Sequence, residues 1–239
     1  MWESNQIVYQ TLCLLGPEIR PGVTTKSLDK IAEEFIQSQG ARPAFKGFNG
    51  YPASICTSID EQVVHGIPSS RVLKEGEIVG IDVGAEKDGY FGDAALTYAV
   101  GEVSEVKQRL MRVTEESLYQ AIAVARAGKR LSDIGNAVQK HVEANGFSVV
   151  RTLVGHGIGT HLHEAPEIPN YGEPGKGPVL KPGMCLAIEP MVNAGTFEVY
   201  LLEDDWTIVT ADHQPSAHFE HTIVIMENDP LILSTNKAG

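Results

Sequence analysis

The sequence predicts one compact α+β domain made of two related halves. Three observations carry that expectation. Amphipathic stretches with helical spacing recur, apolar runs of strand length lie between them, and motifs from the N-terminal part reappear later in the 239-residue chain. No low-complexity or Pro/Gly/Ser-rich tract long enough to separate domains interrupts them.

In chain order, residues 27–39 (SLDKIAEEFIQSQ) place Leu28, Ile31, Phe35 and Ile36 on one helical stripe, with Ser27 as N-cap and Gly40 as the C′ residue. EIVGIDVG and YFGDAALTYAV read as strands joined by AEKDG, whose Lys87, Asp88 and Gly89 supply turn chemistry. A long helix follows over 104–127. Ser104 caps it, Val106, Leu110, Val113, Leu118, Ala121 and Ala125 face inward, and Gly128 stops it. Another runs from 132 to 145 and ends at Gly146. CLAIEPMV and SAHFEHTIVIM read as further strands.

The halves echo each other. The helices before Gly40 and Gly146 align at an offset of 106, which sets Gly22 on Gly128, Leu28 on Ile134 and Ile36 on Val142. LKEGEIVGID (73–82) and LKPGMCLAIE (180–189) align at 107, so Asp82 falls on Glu189. VVHGIP against VGHGIG lays His65 over His156 at an offset of 91.

Composition narrows the function classes. With 19 Lys+Arg against 31 Asp+Glu, the net charge of −12 disfavours nucleic acid and anionic lipid as partners. The N-terminal MWESNQIVYQTLCLLG has neither a basic n-region nor a long apolar run, so no signal peptide or membrane span is expected, and a cytoplasmic location is. Cys13, Cys56 and Cys185 form no CxxC pair and read as reduced, buried small hydrophobes.

The acids within the apolar runs need a reason. A hairpin folded between Lys87 and Asp88 without a bulge makes Asp82 and Asp93 direct cross-strand partners, about 4.5–5.5 Å apart at Cβ. Two facing, half-buried carboxylates repel, and either protonation or a cation relieves them. Glu189 and Glu220 interrupt apolar strands in the same way, and LVGHGIGTHLHEAP adds His156 between glycines, with His161 and His163 beyond. Taken singly, each acid could be a turn cap or an edge charge, and His156 a hydrogen-bonded structural histidine. Together, four carboxylates and one imidazole with no thiolate suit a pair of divalent first-row ions such as Mn, Fe, Co or Zn. Such pairs lie about 3.5–4 Å apart and activate water while polarising a carbonyl.

ASICTSIDEQVVHGIP, GIDVGAEKDGYFGDAA, VGHGIGTHLHEAP, KPGMCLAIEPMV and DWTIVT…SAHFEHT together resemble type I methionine aminopeptidases, in family order over most of the chain. The resemblance implies the pita-bread fold: a pseudo-twofold α+β domain over 1–239, halves of about 1–100 and 101–239, with helices covering an antiparallel sheet. It implies Asp82, Asp93, His156, Glu189 and Glu220 as ligands of two metal ions, with Asp93 and Glu220 bridging. Glu189 is then the proton shuttle, His65 faces the scissile amide and substrate amine, and His163 holds the carbonyl oxygen. Phe48, Tyr51, Cys56, Leu162 and Trp206 map onto the methionine pocket, though each also suits ordinary core. The implied activity is removal of the initiator methionine from nascent peptides with a small second residue, by a monomer that could dock on the ribosome. Asp60 and Asp205 stand where Asn and Gly are common, which bears on a nearby monovalent-cation site and on a turn. His161 reads as a surface residue. The chain starts inside the first helix of the resemblance. Two alternatives remain: another pita-bread exopeptidase of the Xaa-Pro kind, and a homologue that binds without catalysing.

Overall fold

The computed structural model describes residues 1–236. Its α-helices are α1 (Trp2–Leu15), α2 (Thr25–Ser38), α3 (Glu105–Val124) and α4 (Leu131–Ala144). No helix among the described residues is long and apolar enough to cross a membrane.

Helical spacing decides what each helix buries. Val8, Leu12 and Leu15 of α1 and Leu28, Ala32 and Ile36 of α2 close over Val79, Ile81 and Val83 of the strand Ile78–Lys87. In the second half, Leu110, Val113 and Leu118 of α3 and Ile134, Val138 and Val142 of α4 close over Leu186, Ile188 and Ile223. Leu96 packs against both cores and so joins them. Cys13, on the face of α1 away from Leu12 and Leu15, is exposed rather than buried. Val106 is also exposed, because the buried stripe of α3 begins only at Leu110. The N-cap of α2 is Thr24, not Ser27: its extended backbone starts the helix earlier, and its Oγ1 accepts the Ser27 N–H at 3.2 Å. Ser104 caps α3 as read, accepting the Lys107 N–H at 3.4 Å. The helix ends at Val124, so Gly128 (φ 85) serves the following turn instead.

The sheets repeat one arrangement. In the first half the strand Ile78–Lys87 lies antiparallel between Ile55–Ile59 and Tyr90–Ala99. In the second, Cys185–Ile188 lies antiparallel between Val154–Gly157 and His221–Val224. Asp82 therefore sits on one central strand and Glu189 directly follows the other. Hydrogen bonds stitch the halves: the Glu220 N–H donates to Ala95 O (2.8 Å), Thr222 Oγ1 to Asp93 O (2.7 Å) and Thr97 Oγ1 to His218 O (2.7 Å).

The hairpin register differs from the predicted one. The turn residues are Asp88 and Gly89, with φ of 52° and 81°, and Lys87 faces Tyr90. A two-residue turn with positive φ at both positions is available to Asp-Gly and strained for Lys-Asp. Asp82 consequently faces Ala95 and Asp93 faces Gly84. The two aspartates are diagonal neighbours on one face instead of direct partners.

Gly92, the residue before Asp93, is where α1 meets this hairpin. A Cβ there would lie 2.7 Å from Asn5 N and 2.8 Å from Ser4 C, both backbone atoms that cannot swing aside. Gly92→Ala is expected to destabilise the protein by about 2 kcal/mol, read as a lower urea midpoint; an unchanged midpoint would contradict this contact.

Candidate active site

All twelve side chains singled out in the sequence line one cavity of about 220 Å³. Asp82, Asp93, His156, Glu189 and Glu220 form its polar end, Phe48, Tyr51, Cys56, Leu162 and Trp206 its apolar wall, and His65 and His163 lie along it. Asp93, His156 and Glu220 are buried, whereas Asp82 and Glu189 keep an edge open to the cavity.

The distances are short. His156 Nε2 lies 3.5 Å from Glu189 Oε1 and 4.0 Å from Asp93 Oδ2, and Asp93, His156 and Glu220 each bring a potential ligand atom within 4.8 Å of the others'. The positions follow from local sequence. Any Cβ at Gly155 or Gly157 would approach the carbonyl oxygens of Ala187 or Ala165 to 2.4 Å, so the glycines flanking His156 let neighbouring strands close around it. The close approach is made by backbone. His65 holds φ at 60°, a left-handed conformation uncommon for a residue with a side chain, at the start of the HGIP segment.

Electrostatics make the cluster untenable as four free anions. Burial raises the Asp82 pKa to about 7. Burial, then the charges of Glu220 and Asp82, hold Asp93 well above the carboxylate range. Glu189 and Glu220 are raised likewise, by burial first and then by their acidic neighbours. Asp82 Oδ1, Asp93 Oδ1 and Glu220 Oε1 are buried without a hydrogen-bond partner. Burial, helped by His163, lowers His65 and His156 to about 4, leaving neutral imidazoles that can donate or ligate. Unsatisfied carboxylate oxygens around a neutral imidazole are the donor set a hard-to-borderline divalent cation completes.

The wall is apolar in chemistry as well as shape. Tyr51 meets the Trp206 ring edge-on at 5.0 Å and ties its hydroxyl to the carbonyls of Ile55 and Gly66. Cys56 stands opposite Asp82 across the strand pair, and burial followed by that carboxylate pushes its thiol pKa well up, so it lines the wall as a neutral group. His163, at the exposed mouth, meets the rings of Phe48 and His156 at 5.2 and 4.3 Å, and partial desolvation lowers its pKa.

Three residues that sequence reasoning passed over belong here. Phe45 and Asn49 also line the cavity. His218 lies buried with Nε2 3.7 Å from Glu189 Oε2. Its signal was present: His218 stands two residues ahead of Glu220 in an extended segment, a spacing that returns side chains to one face. Asp60 and Asp205 take left-handed backbones (φ 50° and 62°), and Asp60 receives the Lys107 ammonium at 2.5 Å. His161 is exposed, as expected.

The chain belongs to metallopeptidase family M24, whose model matches residues 1–227. It is 57% identical over 227 residues to "Methionine aminopeptidase 1" of Bacillus subtilis (strain 168), an alignment covering 95% of this chain and 92% of that one. The crystal structure of methionine aminopeptidase from Thermotoga maritima superposes with a TM-score of 0.98 at 47% identity, covering 99% and 95% of the two chains. The fold is thus the pita-bread fold. A prolidase from Pyrococcus horikoshii OT3 shares that fold at a TM-score of 0.78 and 21% identity; this chain spans only 61% of its length.

The shifts set a pH dependence for metal-free protein. A raised acid favours the folded state below its unfolded pKa and loses that contribution as pH climbs through the folded value, about 7 for Asp82. The lowered histidines act in the opposite sense, but only below their unfolded pKa of about 6.5. Above about pH 6.5 the acids therefore dominate. Chelator-stripped protein is expected to lose melting temperature in calorimetry as pH rises from about 6.5 through about 7, and excess Mn²⁺ to reduce the loss.

Proposed function

We propose that the chain is a methionine aminopeptidase: it hydrolyses the first peptide bond of polypeptides that begin with methionine, prefers a small second residue, and acts as one catalytic domain. The observation that supports this reading most directly is the convergence of four acids, Asp93 and Glu220 fully buried among them, and His156 at one end of a cavity whose other wall is apolar and aromatic. At about 220 Å³ the cavity falls below the ~300–1,000 Å³ usual for larger ligands and suits a single side chain. Phe48, Tyr51, Cys56, Leu162 and Trp206 are the surface for the thioether, a side chain that pairs well with aromatic edges.

Asp82, Asp93, His156, Glu189 and Glu220 would hold two divalent ions, and Asp93 and Glu220, the most deeply buried of the acids, would be ligands shared by the pair. When bound, divalent ions supply Lewis acidity toward the scissile carbonyl and lower the pKa of water. The protein's own groups do the rest. Glu189 accepts the proton of the attacking water on a carboxylate oxygen and delivers it to the leaving amine. His163 donates its ring N–H to the carbonyl oxygen as negative charge develops there, and its lowered pKa keeps it a neutral donor. His65 faces the amide and the free amine. Phe48 and His163 narrow the mouth, which disfavours a bulky second residue.

The test is chelator-stripped protein supplemented separately with Mn²⁺, Fe²⁺, Co²⁺ or Zn²⁺ and assayed on Met-Ala-Ser and Met-Leu-Ser. Metal-dependent cleavage that favours Met-Ala-Ser is expected. Cleavage of neither peptide would favour a binding homologue, and equal rates would remove the preference for a small second residue. Asp93→Ala is expected to lower kcat/KM at least about a thousandfold; near-normal turnover would overturn the ligand assignment.

A further inference from the structure

We propose that His218 is a positioning residue for Glu189: its Nε2–H orients that carboxylate, which the reading above makes both a ligand and the proton carrier. The inference rests on that reading and on four features of the structure.

His218 is only 3% exposed, and its Nε2 has no hydrogen-bond partner. Its backbone is held on both sides by Thr97 from the other half of the molecule, whose Oγ1 donates to His218 O at 2.7 Å and accepts the His218 N–H at 3.0 Å. With the backbone pinned, two side-chain torsions decide where the ring points. It points at Glu189, with Nε2 3.7 Å from Oε2, while His156 Nε2 approaches the other oxygen, Oε1, at 3.5 Å. One carboxylate is thus flanked by two imidazoles, one on each oxygen.

A contrast within the same segment shows that the open nitrogen is unusual. His221, equally buried, satisfies both ring nitrogens, with Ser234 Oγ at 2.9 Å from Nδ1 and Tyr119 Oη at 3.3 Å from Nε2. A histidine serving only as core filler would be expected to resemble it, because an unpaired buried N–H is costly and an apolar side chain of similar size is not. An ionised carboxylate only accepts, so the tautomer carrying its proton on Nε2 is the one Glu189 selects. The 3.7 Å separation exceeds a formed hydrogen bond, and a small rotation of the flexible glutamate side chain closes it. Donation to Oε2 leaves Oε1 as the oxygen directed into the cluster, beside His156. Partners of this kind commonly change metal affinity or activity by about 10–100-fold when removed.

The experiment compares wild type, His218→Leu, which removes the donor at similar volume, and His218→Gln, which restores an uncharged N–H. Each stripped protein is titrated with Mn²⁺ in a calorimeter, and steady-state kinetics on Met-Ala-Ser are measured at saturating Mn²⁺. The leucine variant is expected to bind Mn²⁺ about tenfold more weakly, with kcat falling by a similar factor and KM within twofold. The glutamine variant should recover most of both losses. Wild-type affinity and kcat in the leucine variant, or a glutamine variant as impaired as leucine, would overturn the proposal. If His218→Leu fails to fold by circular dichroism, His218→Asn replaces it, being polar but with its amide drawn back from Glu189, and the same outcomes apply. Wild type that neither binds Mn²⁺ nor cleaves the peptide would overturn the peptidase reading and this proposal together, whereas an active wild type matched by the leucine variant overturns this proposal alone.

Discussion

Four carboxylates held in one low-dielectric pocket are the constraint on which the rest of this structure depends. Desolvation pushes every one of them above its ordinary range, repulsion from neighbouring acids raises Asp93, Glu189 and Glu220 further, and three of the four acids' oxygens have no partner in the protein. An uncompensated buried charge costs several kcal/mol. A fold that carries four at one place must either keep them protonated or provide for positive charge from outside. The neutral histidines around them provide none, since burial has lowered their pKa values as well.

The strand arrangement is what enforces the crowding. Asp82 lies on the central strand of one sheet and Glu189 directly follows the central strand of the other, while Asp93 and Glu220 lie on or beside their neighbours. Where the halves meet, Glu220 and Thr222 bond directly to the backbone beside Asp93. None of these acids can retreat to solvent without breaking a sheet or parting the halves. Helices on the outside close over two apolar cores, whose burial opposes the cost of the acidic centre.

Much of this was legible from residue order. Helical stripes such as Leu28–Ile36 and Leu110–Leu118 follow from period, and the strand pair around Asp88–Gly89 follows from turn chemistry. The turn falls one residue later than the midpoint of the two aspartates, because positive φ at both turn positions suits Asp-Gly and strains Lys-Asp. Ser27 has the residue type of a cap, yet Thr24, of the same type, precedes it and caps the helix. Val106 and Cys13 have interior character, but the ends and outer faces of helices leave such residues in water.

The sequence by itself determined which residues are out of place: acids in apolar strands, in motifs that echo each other along the chain, with histidines set among glycines. Periodicity and side-chain chemistry are local properties, so they survive in one dimension. Only the tertiary structure decided that these side chains share one cavity, that Asp82 and Asp93 meet diagonally, and that His218 turns its free nitrogen toward Glu189. Distance across a fold is set by packing between segments more than a hundred positions apart, as the bonds from Thr97 to His218 illustrate, and no spacing along the chain encodes it.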